Sequence, residues 1–403
     1  MPGPLLSRRE RAIWIVCFLV ASALLVVTRF TSSDPDSALY ASLSAKLSVQ
    51  PVTHWIAPQW WDLWPQAHQT GYFREHPAGL FLIPAAMGRI GIPPEQASYV
   101  FGIGVALICL LLIASLVAHA TSREEGRAAL VLLQLMPVAF IFRIRDNHEY
   151  PMLLSLLVSL TGLAVVNRSW AGVGLVAFGF AAGLLVKGVF VVLVLMAAGL
   201  WVVINPLKDT SRARLIAACA IGVACMAAAA WAYDAAYLKI TGERFWRAYW
   251  QRQLGPMQFD SAAEHALLFV EHLGFYALRL LFHPAPWSLA LVWALWKRRD
   301  PGGQSRRPGR SATETRSLAF ALLFAAASVV ILSAASRFAE RYAFSATYLI
   351  GAAGVVVAWR RWPALRLALA RLESAVPAAP AVVWLALLVL RLALGPFLPR
   401  IGG

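Results

Sequence analysis

The chain has 403 residues, of which 60% are hydrophobic and only 14% are charged, and its mean hydropathy is +0.65. Because soluble globular proteins carry about 25% charged and about 45–50% apolar residues, this composition excludes an ordinary soluble enzyme, a disordered chain and a small disulfide scaffold. The net charge of +16 comes from short segments between apolar runs, which is typical of membrane topology signals and argues against nucleic acid as a partner.

The apolar runs are roughly 20 residues long and lack period-two alternation, which predicts an all-α polytopic membrane protein. We predict one transmembrane domain over residues 1–403, with no separate soluble domain and about eleven spans. The predicted spans are 12–30, 97–119, 127–143, 151–166, 170–186, 188–204, 215–237, 284–297, 317–335, 342–359 and 376–396.

The distribution of Lys and Arg sets the predicted orientation, because cytoplasmic segments of membrane proteins are enriched in these residues. With the N-terminus inside, the cytoplasmic segments hold 20 of the 36 basic residues but only 7 of the 20 acidic ones. They are 1–11, 120–127, 167–169, 205–214, 297–316 and 360–375. The Arg- and Ala-rich composition is typical of a GC-rich bacterial genome, so we expect a multi-pass protein of the bacterial inner membrane.

Two long outer segments, 31–96 and 238–283, contain stretches that predict helices lying at the membrane interface. In 36–48, apolar residues share one face at helical spacing, namely Leu39, Tyr40, Leu43 and Leu47. The apolar run 77–92 is too short to span the bilayer. In 242–254, aromatic residues line one side between arginines, namely Phe245, Trp246, Tyr249 and Trp250.

Ionisable residues collect in five outer turns, at the points where spans begin and end. They are Asp34 and Asp36; Glu75 and His76; Arg143, Arg145, Asp146, His148 and Glu149; Lys187; and Arg337, Glu340 and Arg341, which are followed by Tyr342. Bundled spans bring such turns together at one face of the membrane. Carboxylates among cations there predict a general base beside a site for an anionic, phosphorylated, lipid-linked group.

Each of these residues also has a simpler structural interpretation. Asp34 and Asp36 are good N-cap residues for the helix that follows. The charges of 145–149 could form local ion pairs in a solvated loop. Lys187 could extend to the membrane surface, although a lone Lys between apolar runs is costly, and Arg337 and Arg341 could anchor the chain at the membrane edge.

Six motifs in the same order, on one predicted side of the membrane, resemble those of the lipid-carrier-dependent glycosyltransferases of the GT-C class. The resemblance is to the bacterial branch similar to protein O-mannosyltransferases and to the lipid A aminoarabinose transferase. It runs from the first span to about residue 205 and resumes at 273–350. The motifs are DPDSALYASLSAKL, FREHPAGLFLIPAAMGRIG, FRIRDNHEYPMLLSLL, GLLVKGVF, HPAPWSLALVWALW and ERYAFSATYLI.

The resemblance implies a GT-C-like fold and an inverting transfer of a hexosyl or pentosyl group. The donor would be a polyprenyl-phosphate sugar, and the acceptor a lipid, glycan or protein on the periplasmic side. Asp36 would be the general base, and Glu149 or Asp146 would orient the acceptor or the base. Cations would bind the donor phosphate, namely Lys187, Arg337, Arg341, His76 and Arg145. Further residues would line the substrate pocket, namely Asp34, Tyr40, Glu75, His148, Glu340 and Tyr342.

Three positions depart from the family's pattern. Ser37 stands where the family usually has Glu, so the second carboxylate of the first motif is missing. His76 stands where Lys is common, which weakens phosphate binding there at neutral pH or makes it depend on pH. Val186 replaces the usual Thr before Lys187.

Two other function classes compete with the glycosyltransferase. A transporter or lipid flippase would place ionisable residues at mid-membrane depth, whereas the charges here lie at one edge. A catalytically inactive assembly protein on the same fold is the second alternative, and the Ser37 departure favours it. No tight cluster of metal ligands is visible in the sequence, although two loop carboxylates could share a divalent cation.

Overall fold

A computed structural model of the protein describes residues 5–60, 71–207, 211–253, 262–297, 312–335 and 339–394. Within these ranges the regular structure is helical, apart from one isolated β-bridge between Gln59 and Tyr72. The first helices are α1 (Arg8–Val27), α2 (Pro35–Ser48), α3 (Gly79–Arg89), α4 (Pro94–Ala120), α5 (Arg123–Leu132), α6 (Pro137–Ile141), α7 (Glu149–Val165), α8 (Ala171–Lys187) and α9 (Val191–Ile204). The later helices are α10 (Arg212–Thr241), α11 (Phe245–Gln253), α12 (Ala262–Phe282), α13 (Trp287–Trp296), α14 (Ala312–Ser333), α15 (Phe344–Arg361), α16 (Pro363–Ala375) and α17 (Ala379–Leu394).

Seven helical stretches in the described ranges are long and apolar enough to cross a bilayer. They are Arg8–Val27, Pro94–Ala120, Ala171–Ile204, Arg212–Thr241, Ala263–Phe282, Thr313–Ser333 and Glu340–Arg361. The pair α16 and α17, bent by 89° at the break between them, passes the same test together and brings the number to eight. The chain is therefore a multi-pass, all-α membrane protein, as its composition predicts.

The predicted number of about eleven spans is not confirmed, because several predicted spans are shorter or interrupted. The predicted span 127–143 is broken into α5, a 3-10 turn and α6. Pro137 causes this break, since it lacks a backbone N–H and holds Met136 in an extended conformation with ψ at 139°. The predicted span 284–297 contains α13, whose 10 residues cover only about 15 Å of a hydrocarbon core about 30 Å thick.

The outer segment 238–283 also differs from its prediction. Its predicted amphipathic stretch 242–254 contains the helix α11, but its second half is α12, which meets the length and hydropathy criteria of a span. Charged residues within α12 lower its hydropathy and conceal it in the sequence, namely Glu264, Glu271 and Arg279.

Within the stretch Ala171–Ile204 the chain reverses direction between α8 and α9, as the sequence predicts, so this stretch consists of two antiparallel helices and is not one straight span. Gly172, near the start of α8, packs against Gly162 near the end of α7, whereas Lys187 at the end of α8 reaches Glu149 at the start of α7. Trp201, near the end of α9, returns to a cavity of about 120 Å³ that Leu160 of α7 also lines. The turn requires Gly188, whose φ of +58° is costly for any residue with a Cβ.

Segments predicted to be cytoplasmic meet through ion pairs at one face of the bundle. Arg127 pairs with Glu10 at 2.7 Å and with Glu373 at 3.1 Å. Arg360, in the last turn of α15, pairs with Glu125 and with Glu314. Because α15 begins just after Arg341 and ends at Arg361, Arg341 lies at the end of the bundle opposite to these ion pairs.

An aromatic platform covers that opposite end and consists of α2, α3 and α11 packed on the last turns of α10. Its buried residues include Tyr40, Leu43 and Leu47 of α2 together with Phe245 and Tyr249 of α11. The hydroxyl of Tyr233 in α10 accepts the N–H of Ala78 at 3.0 Å and donates to the carbonyl of Ile56 at 2.8 Å. The stretches 36–48, 77–92 and 242–254, predicted to be interfacial, thus form one layer of helices at the Arg341 end of the bundle.

Candidate active site

The first outer motif gives its two aspartates different roles. Asp34 is the N-cap of α2, and its Oδ2 accepts the backbone N–H of Ser37 at 3.1 Å and the Ser37 hydroxyl at 2.6 Å. Asp36 lies two residues further on, and its Oδ2 is 2.5 Å from the Arg341 guanidinium. Asp34 therefore caps α2, whereas Asp36 forms an ion pair with Arg341 at the end of the bundle.

Four ionised side chains form a continuous ion-pair chain of alternating sign. It runs from Asp36 through Arg341 to Glu149, whose Oε1 is 3.7 Å from Arg341 Nε, and ends at Lys187, whose Nζ is 3.4 Å from the same oxygen. The exposed fraction of these side chains falls from 32% for Asp36 to 1% for Glu149. The ion-pair chain thus leads from an accessible carboxylate into a buried site, with no net formal charge.

Local helix geometry explains why these residues meet. Glu149 is the first residue of α7 and Lys187 the last of α8, and the two helices run antiparallel. Tyr249 of the platform fixes the turn after Lys187, because its hydroxyl accepts the N–H of Val189 at 2.9 Å and donates to the Lys187 carbonyl at 3.2 Å. Tyr249 therefore fixes the backbone at Lys187, and Glu149 holds the ammonium group.

A small cavity of about 20 Å³ adjoins the two cations of the ion-pair chain. Lys187 Nζ lies 4.7 Å from the ring centre of Phe190 and 4.9 Å from that of Tyr342. The lining of the cavity combines Glu149, Lys187, Arg341 and Ser345 with apolar side chains, namely Met152, Leu156, Leu193 and Val194. These side chains suit a phosphate attached to an apolar chain, because the cations can pair with the phosphate and the apolar residues can contact the chain.

A cluster of rings lies close to the ion-pair chain. The ring centre of His148 is 4.8 Å from that of Tyr40 and 4.2 Å from that of His76. Burial, followed by the nearby cations His76, Lys187 and Arg341, lowers the pKa of His148 well below its usual value. His148 is therefore neutral at neutral pH. The carbonyl of Glu75, beside His76, accepts a hydrogen bond from the Gln253 amide at 2.9 Å. This bond connects the ring cluster to α11.

The remaining predicted site residues lie outside the ion-pair chain. Arg145 is 3.8 Å from Asp34, and Glu340 is 3.6 Å from Arg279 and 3.9 Å from His283. Arg337 lies outside the described residues. Asp146 is 2% exposed and its Oδ2 has no hydrogen-bond partner. Of the two acidic residues that the sequence leaves open, Glu149 is the one that contacts Lys187 and Arg341.

Asp146→Asn is expected to stabilise the protein at alkaline pH. Burial raises the pKa of Asp146 from 3.8 to about 7, so the folded protein holds this proton more tightly than the unfolded chain does. The contribution to stability is therefore complete below about pH 4 and is lost as the pH rises through about 7. Asn cannot ionise, so the variant avoids a cost on the order of 4 kcal/mol at its upper limit.

Thermal unfolding of the parent and Asp146→Asn at pH 5 and pH 8 checks this. We expect the midpoint of the variant to exceed that of the parent by much more at pH 8 than at pH 5, because only part of the cost is present at pH 5. An identical pH dependence in the two proteins would show that Asp146 does not carry the titration.

Sequence reasoning missed several residues that shape the site. Phe190 and Tyr249 hold Lys187, and His283 and Arg279 reach Glu340 from another helix. The aromatic residue that follows Lys187 by one turn is a usable signal for Phe190. Nothing in the local sequence pairs residues 279–283 with Glu340, because only the packing of α12 brings them together.

A divalent cation does not fit the carboxylates as they are arranged. Within the part of the chain that the structure describes, no group of three or more His, Cys, Asp or Glu side chains could hold a metal ion. Asp36 and Glu149 are separated by the Arg341 guanidinium, which occupies the position between their oxygens.

Comparison with known proteins shows the fold. No protein-family model matches the sequence, and no curated protein matches it. The structure is similar to a crystal structure of ArnT from Cupriavidus metallidurans in the apo state, with a TM-score of 0.60 and 16% identity over 95% of this chain and 76% of that chain. It is similar to the same protein bound to undecaprenyl phosphate, with a TM-score of 0.59 and 16% identity over 95% of this chain and 71% of that one. The chain thus has the GT-C-like fold that its motifs predict.

Proposed function

We propose that the protein is an integral-membrane glycosyltransferase that moves a sugar from a polyprenyl-phosphate donor to a lipid, glycan or protein acceptor. The observation that carries this proposal is the ion-pair chain, in which the partly exposed carboxylate of Asp36 pairs with Arg341, and Arg341 and Lys187 line a cavity together with apolar side chains. The similar structure of ArnT bound to undecaprenyl phosphate supports the choice of donor class. We place the protein in the bacterial inner membrane, with the Asp36 end of the bundle facing the periplasm.

The cations give the leaving group its stability. During transfer, the acceptor oxygen attacks the anomeric carbon, and the bond from that carbon to the phosphate oxygen breaks. The electron pair of this bond stays on the polyprenyl phosphate, where Lys187 and Arg341 offset the developing negative charge. A single displacement of this kind inverts the anomeric centre.

Asp36 receives the proton that the acceptor hydroxyl loses. In the ligand-free protein its carboxylate is paired with Arg341 at 2.5 Å, so one of its oxygens is occupied by the guanidinium. A bound phosphate competes for Arg341 and loosens this ion pair. Donor binding therefore prepares the base, and an acceptor that arrives before the donor meets a carboxylate that is already occupied.

Release of free polyprenyl phosphate by purified protein in liposomes tests the proposal, with a panel of polyprenyl-phosphate sugars as donors and a periplasmic extract as acceptor. We expect release from one donor class, with none from empty liposomes. No release from any donor would overturn the proposal. Uptake of a labelled solute into the same vesicles would then favour a transporter.

A further inference from the structure

A second buried charge lies away from the ion-pair chain. Arg143, in the segment between α6 and α7, is 4% exposed. Its guanidinium donates to the carbonyls of Trp384 at 3.3 Å and Gln134 at 3.4 Å, and its Nε has no hydrogen-bond partner. Among the described residues, no carboxylate lies within ion-pair distance of Arg143, unlike the paired arginines Arg127, Arg341 and Arg360.

An isolated buried cation of this kind is costly. Moving an ion from water into a protein interior is opposed by several kcal/mol even after relaxation, and two long hydrogen bonds to carbonyls leave most of the five guanidinium donors unused. Charged residues at membrane depth are rare and mark functional sites unless they are paired. Arg143 therefore requires a negative charge that the described side chains do not supply.

A cavity beside Arg143 provides the space for that charge. It measures about 20 Å³, and its polar lining consists of Arg143, Gln134, Tyr150 and Tyr348. The hydroxyls of Tyr150 and Tyr348 are 2.7 Å apart. Because one hydroxyl donates to the other, the second retains a proton for a further acceptor. The cavity thus presents the unused donors of Arg143 and one tyrosine proton, whereas Gln134 already gives its amide protons to the carbonyls of Leu130 and Pro380, and the volume of the cavity suits one small monatomic ion.

We propose that Arg143 and the Tyr150–Tyr348 pair bind a chloride-sized monovalent anion inside the helix bundle. The anion neutralises Arg143 and accepts the free tyrosine proton, so it joins the segment between α6 and α7 to α15 and α17. A water molecule could occupy the same volume, but it carries no charge and leaves the cation uncompensated. The site does not depend on the transferase reaction.

Two measurements test the site. Thermal unfolding of the purified protein is followed in sodium chloride and in sodium gluconate at equal ionic strength, for the parent and for Arg143→Met. We expect chloride to raise the midpoint of the parent by about 2 to 4 °C and to leave that of the variant unchanged. Because each protein is compared with itself, a general loss of stability in the variant does not affect the result.

Arg127→Met is the matched control, since Arg127 already has two carboxylate partners. It is expected to keep the full chloride effect of the parent. Crystals of the parent grown in bromide provide the second measurement, with an anomalous peak beside Arg143 as the expected result. No anion dependence in the parent, an equal dependence in Arg143→Met, or no bromide peak would each overturn the proposal, and this second measurement remains available if Arg143→Met does not fold.

Discussion

Asp36→Asn is expected to lower the transfer rate by about 10²- to 10⁴-fold while leaving donor binding intact. The amide is nearly the same size as the carboxylate, but it cannot accept the proton of the acceptor hydroxyl. The loss of charge also frees Arg341 from its partner at 2.5 Å, so affinity for the phosphate is expected to stay the same or to rise. The measurement is the release of polyprenyl phosphate, together with the Kd of polyprenyl phosphate for the same preparation.

Asp34→Asn is the matched control for this prediction. It makes the same chemical change two positions earlier, and Asn remains a good N-cap that accepts the N–H of Ser37. We expect transfer by Asp34→Asn to stay within a few-fold of the parent. Unchanged transfer by Asp36→Asn would end the assignment of Asp36 as the base. Equal losses in the two variants would indicate that the start of α2, and not the carboxylate of Asp36, carries the effect.

The features that depend on local sequence could be predicted without the structure. The helical class, the helices α2, α3 and α11 and the turn at Lys187–Gly188 all follow from apolar periodicity, helix length or glycine. Asp36 and Lys187 were both predicted for the site, since each carries a charge at the edge of an apolar run. These predictions need no knowledge of which helices are neighbours.

The pairing of charges could not be predicted, because it depends on how the helices pack. Asp146 lies three residues before Glu149, which is the first residue of α7, and only the packing of α7 on α8 places Glu149, and not Asp146, against Lys187. The break at Pro137 is another example, since an average over a hydropathy window conceals a single interrupted helix. The sequence pattern groups Arg143 with the loop charges, although its side chain points into the bundle.

Lys187 presents a problem for mutagenesis, because its removal changes both binding and stability. Lys187→Met leaves Glu149 buried, with its side chain 1% exposed and with only the more distant Arg341 as a cation. Breaking a buried ion pair in this way costs about 3–5 kcal/mol. The single variant alone therefore cannot separate a phosphate-binding role from a structural one.

The double variant Lys187→Met/Glu149→Gln removes both charges, so its stability is expected to recover towards that of the parent. Its affinity for polyprenyl phosphate is nevertheless expected to fall by about 10- to 100-fold, because a hydrogen bond to a charged group contributes about 1.5–3 kcal/mol. Glu149→Gln alone is expected to have the opposite effect on binding, since it removes the carboxylate that competes with the phosphate for Lys187 and Arg341. Binding by the double variant as tight as that of the parent would show that Lys187 stabilises the fold and does not hold the donor.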